Sequence, residues 1–237
     1  MSTKLGHYFQ HLEKFPFPEF FDGITETYEI LAKAKTFLDE TLTQKGVCEN
    51  HGTVLGREPA IHGCCYIGEG TKIYDDVCII GPVYIGRNCE IGHGAVIRPN
   101  TIISDGCAVG HGSEVKHTVM FGGSKVASLS FAGDCVLGAS ARIGSGVITA
   151  NRKFNQQNVT LKYDGEKHDL GDSFFGVILG DSARLGANSV TQPGTHIGHH
   201  SWVYPLTNVR GFIPAGIRVF EKRELVYEEN EIVELKP

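Results

Sequence analysis

The sequence lacks several features that would assign it to well-defined classes of protein. No apolar run approaches the roughly 18 residues that span a bilayer, and the N-terminal segment MSTKLGHYFQHLEKF lacks the apolar stretch of a signal peptide. An excess of positive charge is also missing, because the formal net charge is −5. Such a chain has no long-range attraction to nucleic acid or anionic lipid. We therefore expect a cytoplasmic protein that binds neither nucleic acid nor membranes.

The cysteine pattern excludes two further classes. Seven cysteines are an odd number, and no CxxC pair occurs among them, which argues against a disulfide framework and against a zinc knuckle. Proline is sparse, with 9 residues, whereas the 30 glycines exceed the usual share of roughly 7%. This imbalance favours a repeated backbone geometry over disorder.

Large apolar residues recur at every sixth position over the first part of the repeat. They are Ile61, Ile67, Ile73, Ile79, Ile85, Ile91, Ile97, Ile103, Val109, Val115 and Phe121. The residue four places after each is small or β-branched, so both sets can fill one narrow interior, with side chains alternating along short strands. Three such hexads form one coil of 18 residues in known hexapeptide β-helices. The sequence therefore predicts an all-β fold, a parallel β-helix.

The same period continues to the end of the repeat, with two interruptions. It resumes at Phe131, Leu137, Ile143 and Thr149, and again at Leu179, Leu185, Thr191, Ile197, Val203 and Val209. The gap from Phe121 to Phe131 is ten residues, which predicts one local irregularity inside GGSKVASLS. Residues 152–176 are polar and predict an excursion loop, a usual place for binding groups.

The repeat divides the chain into three parts. Residues 1–50 form an N-terminal extension, in which apolar residues every three or four positions predict an amphipathic helix of roughly 20 residues that ends near Gly46. Residues 51–211 form the β-helix, and residues 212–237 form a tail of extended segments. Four cysteines occupy the small interior position, which favours packing over reactivity. They are Cys65, Cys89, Cys107 and Cys135.

Two columns of polar residues follow from a coil of 18 residues. Arg98 and Lys116 are 18 apart, so the two cations stack on one corner, where an anion such as phosphate would relieve their repulsion. The alternative is that they are solvated or paired with Glu114. Asp75, His93 and His111 form a second column, for which a metal site is the less favoured interpretation. We therefore expect no bound metal.

Three stretches of the β-helix resemble a known family. VIRPNTII, EVKHTVMFGGSKVASLSFAGD and ASARIGSGVITANRKF resemble the acetyltransferase domain of the bifunctional sugar-1-phosphate enzymes typified by N-acetylglucosamine-1-phosphate uridyltransferase. The resemblance covers roughly residues 90–210, and TANRKF is similar to the archaeal-type branch. It implies a left-handed β-helix, a homotrimer with active sites between subunits, and acetyl-CoA as cosubstrate with an amino-sugar 1-phosphate. The glycine-rich GTR-type motif of the nucleotidyltransferase half is absent from the sequence.

The resemblance also implies roles for individual residues. Arg98 and Lys116 match the pair that holds the sugar phosphate, and Asn151 matches a residue near the reacting nitrogen of the amino sugar. Two positions depart from the family pattern. Ser128 stands where the family has the histidine that acts as general base, and Phe131 stands where it has a tyrosine.

Serine cannot act alone as the missing base, because its hydroxyl titrates far too high. A nearby histidine such as His117 is a possible substitute. The sequence therefore predicts a CoA-dependent acyltransferase, in particular an N-acetyltransferase of an amino-sugar phosphate, with an atypical active site. The alternative is a catalytically degenerate β-helix that binds sugar phosphates or serves as a scaffold.

Overall fold

A computed structural model describes residues 2–163, 165–222 and 224. The chain forms a parallel β-helix of about ten turns with one α-helix before it, as the repeat predicted. Short strands stack into three parallel sheets, which we call the first, second and third faces of the prism; within the described residues they contain nine, nine and eight strands. We call successive strands of one face its rungs.

Each coil contributes one strand to each face. The first face contains Cys48–Asn50, Cys65–Ile67, Val83–Ile85, Thr101–Ile103, Val119–Met120, Val136–Leu137, Val177–Leu179, Thr195–Ile197 and Phe212–Ile213. The second contains Thr53–Leu55, Lys72–Tyr74, Glu90–Ile91, Ala108–Val109, Lys125–Val126, Arg142–Ile143, Arg184–Leu185, Trp202–Val203 and Arg218–Val219. The third contains Ala60–His62, Cys78–Ile80, Val96–Ile97, Glu114–Lys116, Phe131–Gly133, Ile148–Thr149, Val190–Thr191 and Asn208–Val209.

The interior confirms most of the predicted apolar column but corrects two of its members. Phe121 points outwards and packs on Phe9, with ring centroids 4.7 Å apart, and Phe131 pairs with Glu114 on the outer side of the third face. Met120 and Ala132 fill the interior in their places. The four cysteines predicted to be interior are all buried. Burial raises the pKa of the Cys107 and Cys135 thiols to about 12, which makes both inert.

The predicted single irregularity is wrong, because two coils are each one residue short. The interior column advances by five residues from Val115 to Met120 and again from Ala132 to Leu137. In agreement, Val119 pairs with Val136, 17 positions later, whereas coils nearer the N-terminus pair at 18. The number of residues in the two steps equals the predicted number, so the register recovers by Leu137.

The N-terminal extension packs on the outer side of the first face. It contains single-turn 3₁₀ helices at Leu5–His7, Leu12–Lys14 and Pro18–Phe21, the α-helix Glu29–Leu38, which we call α1, and a π-helical turn at Asp39–Thr43. The α-helix is therefore shorter than predicted. Its buried residues share an apolar cluster with Ile102, Val119, Val136 and Ile178 of the prism. None of the helices in the described part of the chain has the length and apolar character required of a membrane span.

The predicted boundaries of the prism are too narrow. Strands begin at Cys48, and Phe212–Ile213 and Arg218–Val219 continue the parallel sheets beyond residue 211. The predicted tail from residue 225 onward lies outside the described residues. The excursion leaves the prism after the strand Ile148–Thr149 and returns at Val177–Leu179, and it contains an antiparallel hairpin, Thr160–Tyr163 with Glu166–Asp169.

Candidate functional site

The two predicted cations lie on neighbouring rungs of the third face. Ile97 pairs with Val115, so Arg98 and Lys116, which follow these residues, stack as the spacing predicted. Each cation has its own carboxylate partner. Arg98 Nη1 lies 2.6 Å from Glu114 Oε1, and Lys116 Nζ lies 3.1 Å from Asp134 Oδ2. The Arg98 pair is solvated, with side chains 42% and 37% exposed, whereas Asp134 is 2% exposed.

Asp134 is the centre of a buried polar cluster. Its carboxylate accepts hydrogen bonds from Lys116 Nζ, from His117 Nδ1 at 2.9 Å and from Asn151 Nδ2 at 2.5 Å. Burial raises the pKa of Asp134, but the bond from His117, the charge on Lys116 and the bond from Asn151 together hold it below its ordinary value. Asp134 is therefore a carboxylate that orients two of the predicted substrate-binding residues, Lys116 and Asn151.

His117 is placed where it cannot act as the substitute base. Its Nδ1 faces Asp134, and its Nε2 lies 3.0 Å from the carbonyl oxygen of Leu31 in α1. Both partners are acceptors, so both ring nitrogens carry protons and neither has a lone pair for a substrate proton. The expectation for His117 is thus corrected: it is an imidazolium that fastens the N-terminal extension to the corner of the prism.

The excursion loop covers the cluster from the outside. Phe174 lies beneath the ammonium of Lys116, with Nζ 4.3 Å from the ring centroid, and the guanidinium of Arg152 lies 4.9 Å from the same centroid. Phe131 lies across Gly133, where a Cβ would meet the ring carbon Cζ at 2.5 Å. The loop and the prism thus enclose the inner side of the site, while Arg98 stays open to solvent.

Ser128 lies at the opposite edge of the third face from Lys116. It occupies the turn that connects the second face with the third, and it is partly exposed. The strand register places His111 on the rung below it, because Val109 pairs with Val126 and Leu129 N donates to His111 O at 2.9 Å. His111 is exposed. An imidazole therefore lies one rung, about 4.8 Å, from the position where the resembling enzymes have their base.

The second predicted column is partly formed. His93 Nδ1 lies 3.4 Å from Asp75 Oδ2, and His111 follows one rung later. Within the described residues, no group of three histidine, cysteine or acidic side chains is arranged to hold a metal ion. The column therefore supplies an exposed imidazole beside Ser128.

Sequence reasoning missed two functional residues for different reasons. Asp134 was detectable, because it lies one shortened coil after His117, but the assumed coil of 18 residues placed it on the wrong rung. Phe174 was not detectable, because the path of the excursion loop back to Lys116 is set by tertiary contacts. One is the backbone bridge between Arg152 and Phe174.

Comparisons with known proteins match the prism in two segments. A family model described as the GMPPB C-terminal domain matches residues 79–165, and a model described as the hexapeptide repeat of succinyl-transferase matches residues 176–203. The first match contains Arg98, Lys116, Asp134 and Asn151. The second begins at Gly176, immediately after the excursion loop.

Among characterised proteins, the similar ones are bifunctional. The bifunctional sugar-1-phosphate nucleotidylyltransferase/acetyltransferase of Sulfurisphaera tokodaii is 35% identical over 92 residues, which are 39% of this chain and 23% of that protein. The bifunctional protein GlmU of Methanococcus aeolicus is 33% identical over 113 residues, which are 48% of this chain and 27% of that protein. The matched residues thus account for about a quarter of the length of these relatives.

Among solved structures, an Arabidopsis UDP-N-acetylglucosamine acyltransferase is 14% identical, with a TM-score of 0.45, covering 70% of this chain and 69% of that one. The acetyltransferase domain of PglB from Neisseria gonorrhoeae, solved with acetyl coenzyme A, is 18% identical, with a TM-score of 0.35. That match covers 63% of this chain and 53% of that one.

Proposed function

We propose a function from one premise: the chain carries a hexapeptide-repeat region that is homologous to the C-terminal acetyltransferase part of bifunctional sugar-1-phosphate enzymes. The proposed function is transfer of an acetyl group from acetyl-CoA to the amine of an amino-sugar phosphate. The observation that carries it is the arrangement of Arg98, Lys116 and Asn151. All three lie at one edge of the third face, where Asp134 holds Lys116 and Asn151 in place.

The open side of this corner suits a phosphate. Arg98 uses one guanidinium nitrogen for Glu114 and is 42% exposed, so its other N–H groups can bind a ligand. Lys116 is the nearest second cation on the adjacent rung. In the reaction, the sugar amine attacks the thioester carbonyl, the new C–N bond forms as the C–S bond breaks, and the amine proton passes to a base while CoA leaves as the thiol.

The base in this proposal is His111. Its imidazole is exposed and lies one rung from Ser128, and no side-chain partner occupies it within the described residues. A histidine has its ordinary pKa close to neutral pH, which suits proton acceptance from an amine in the transition state. Ser128 contributes a small, partly exposed side chain beside it. This assignment replaces His117, whose ring nitrogens are both engaged.

The test compares four proteins: the wild type, His111→Ala, Ser128→His and the double variant. Each is incubated with acetyl-CoA and a panel of amino-sugar 1-phosphates, and thiol release is measured. We expect measurable turnover by the wild type, a loss of roughly 10² in kcat for His111→Ala, and recovery when Ser128→His is added. His93→Ala is the matched control, because it removes an exposed imidazole one further rung away.

Two results would count against this enzyme. Thiol release at the level of the blank in all four proteins would exclude acyl transfer to this substrate class. Equal turnover by the wild type and His111→Ala would leave the transferase in place but remove His111 from its mechanism.

The second candidate is a protein that binds sugar phosphates without turnover. The observation that favours it is that Lys116 is both paired with Asp134 and covered by Phe174. It predicts thermal stabilisation by glucosamine 1-phosphate with no thiol release. Arg98→Ala should abolish that stabilisation, and Arg57→Ala, which removes an exposed arginine elsewhere, should leave it unchanged.

A homotrimer is part of the proposal, and so is a cytoplasmic location. The N-terminal extension covers the first face, so two further copies have the second and third faces to pack against. All seven cysteines are free, which fits a reducing compartment.

A further inference from the structure

A column of cations runs along the outer side of the second face, away from the corner at Lys116. Lys125 pairs with Arg142, and Arg142 pairs with Arg184, so the three side chains stack on consecutive rungs about 4.8 Å apart. All three are exposed. Trp202 occupies the next rung and Arg218 the one after it.

No carboxylate neutralises this column. Within the described residues, Lys125, Arg142 and Arg184 make no ion pair and no side-chain hydrogen bond. In the direction of the N-terminus, the nearest acidic residue in the same column is Glu90, and the rung of Ala108 separates it from Lys125. Elsewhere on the prism the pattern differs, since Arg98 and Lys116 each have an acidic partner. The stacked charges repel one another, and an anion would relieve that repulsion.

The surface beside the column is bare. The adjacent outward position carries Ala127, Gly144 and Gly186 on the same three rungs. Stacking of the coils requires both glycines, because a Cβ at Gly144 would meet Leu185 O at 2.7 Å and one at Gly186 would meet Pro205 N at 2.4 Å. The result is a trough with a floor of backbone and a wall of three cations.

The trough ends at an aromatic shelf. Trp202 and Tyr204 are the two outward residues of the next rung, 47% and 41% exposed. Exposed aromatic faces next to cations are the elements with which proteins stack nucleobases and hold the attached phosphates. A cavity of about 580 Å³ adjoins the shelf, and Tyr204, Arg218 and Phe220 are among its lining residues.

We propose that this trough binds the diphosphate of a nucleoside diphosphate group on Arg142 and Arg184, with the base on Trp202. Cations on adjacent rungs can each pair with one phosphate of the diphosphate. The aromatic shelf one rung further places the base along the prism axis. Nucleotide sugars and adenosine-containing cosubstrates both carry this group. The site stands independently of acyl transfer, because it uses another face and other residues.

The test is binding measured by calorimetry at low ionic strength, with ADP, UDP and inorganic pyrophosphate as probes. The variants are Arg142→Gln with Arg184→Gln, Trp202→Ala, and the control pair Lys33→Gln with Lys45→Gln. The control removes the same charge from exposed positions of the N-terminal extension. Thermal unfolding of each variant verifies that the prism is intact.

We expect the arginine pair to raise the Kd of all three probes by more than about tenfold and the lysine pair to leave it unchanged. Trp202→Ala should weaken the nucleotides several-fold without affecting pyrophosphate. A preference between ADP and UDP identifies the source of the ligand. No binding, equal loss in the lysine pair, or unchanged affinity in the arginine pair would overturn the site. Pyrophosphate binding as tightly as both nucleotides would overturn the nucleoside part.

Discussion

At the scale of single residues, Asp134 decides the geometry of the candidate site. Three donors on three different residues converge on one buried carboxylate, and its backbone adds two bonds, from Asp134 N to Lys116 O and from Gly176 N to Asp134 O, both 2.8 Å. Removing the charge would leave Lys116 and His117 as partly buried cations without a counter-charge. Such uncompensated charges are costly, whereas solvated pairs contribute little.

Asp134→Asn should therefore lower the free energy of unfolding by about 3 kcal/mol. Glu114→Gln removes the partner of Arg98 in an exposed pair and should cost less than about 1 kcal/mol. Urea unfolding at neutral pH measures both values. If the two variants lose equal stability, the Asp134 cluster does not fix the site.

At the scale of elements, the N-terminal extension is held on the first face by a buried histidine as well as by apolar packing. His196 Nε2 accepts a hydrogen bond from Thr27 Oγ1 at 3.1 Å, and Nδ1 donates to Gly194 O at 2.9 Å. This assignment makes the ring neutral. Phe175 of the excursion loop stacks parallel to it, so one side chain joins the extension, the loop and the prism.

Burial lowers the pKa of His196 to about 4, although the bond to Gly194 opposes the shift. The unfolded chain, with an ordinary pKa near 6.5, binds more protons between these values, so stability falls as pH is lowered from about 6.5 to about 4. Between pH 7 and pH 4.5 the wild type should lose about 2 kcal/mol more than His196→Gln, whose amide can keep both hydrogen bonds. Urea unfolding across this range measures the difference, and parallel curves would contradict it.

At the scale of the whole molecule, the three faces of the prism are not equivalent. The extension buries the first face, the second presents the cation column, and the third presents a column of apolar residues beside the candidate site. Ile148 in that column is 43% exposed. Exposed apolar residues beside a binding site fit an interface between copies.

If copies of the chain pack through the third face, analytical ultracentrifugation should find three times the chain mass of 25.8 kDa. Ile148→Glu should dissociate that assembly, because a carboxylate would be buried without a partner. Thr36→Glu, on the exposed side of α1, is the control and should leave it intact. A monomeric wild type would contradict the trimer, and a trimeric Ile148→Glu protein would place the interface elsewhere.

The hexad by itself determined the class of fold, the interior cysteines and the stacking of Arg98 on Lys116. Each coil contributes its apolar residues to one narrow interior, so a local period fixes a global architecture. The same reasoning failed at Phe121 and Phe131. Two coils lose one residue each, and a large apolar residue beside the true interior position satisfies the period equally well.

Tertiary structure alone decided what lies outside the prism. Phe121 is buried because the N-terminal extension covers it, and Phe174 reaches Lys116 because the excursion loop folds back. His117 loses its lone pair to Asp134 and Leu31, which are 17 and 86 residues away in sequence. No periodic pattern encodes these contacts, because each joins a repeated element to a segment that has no repeat.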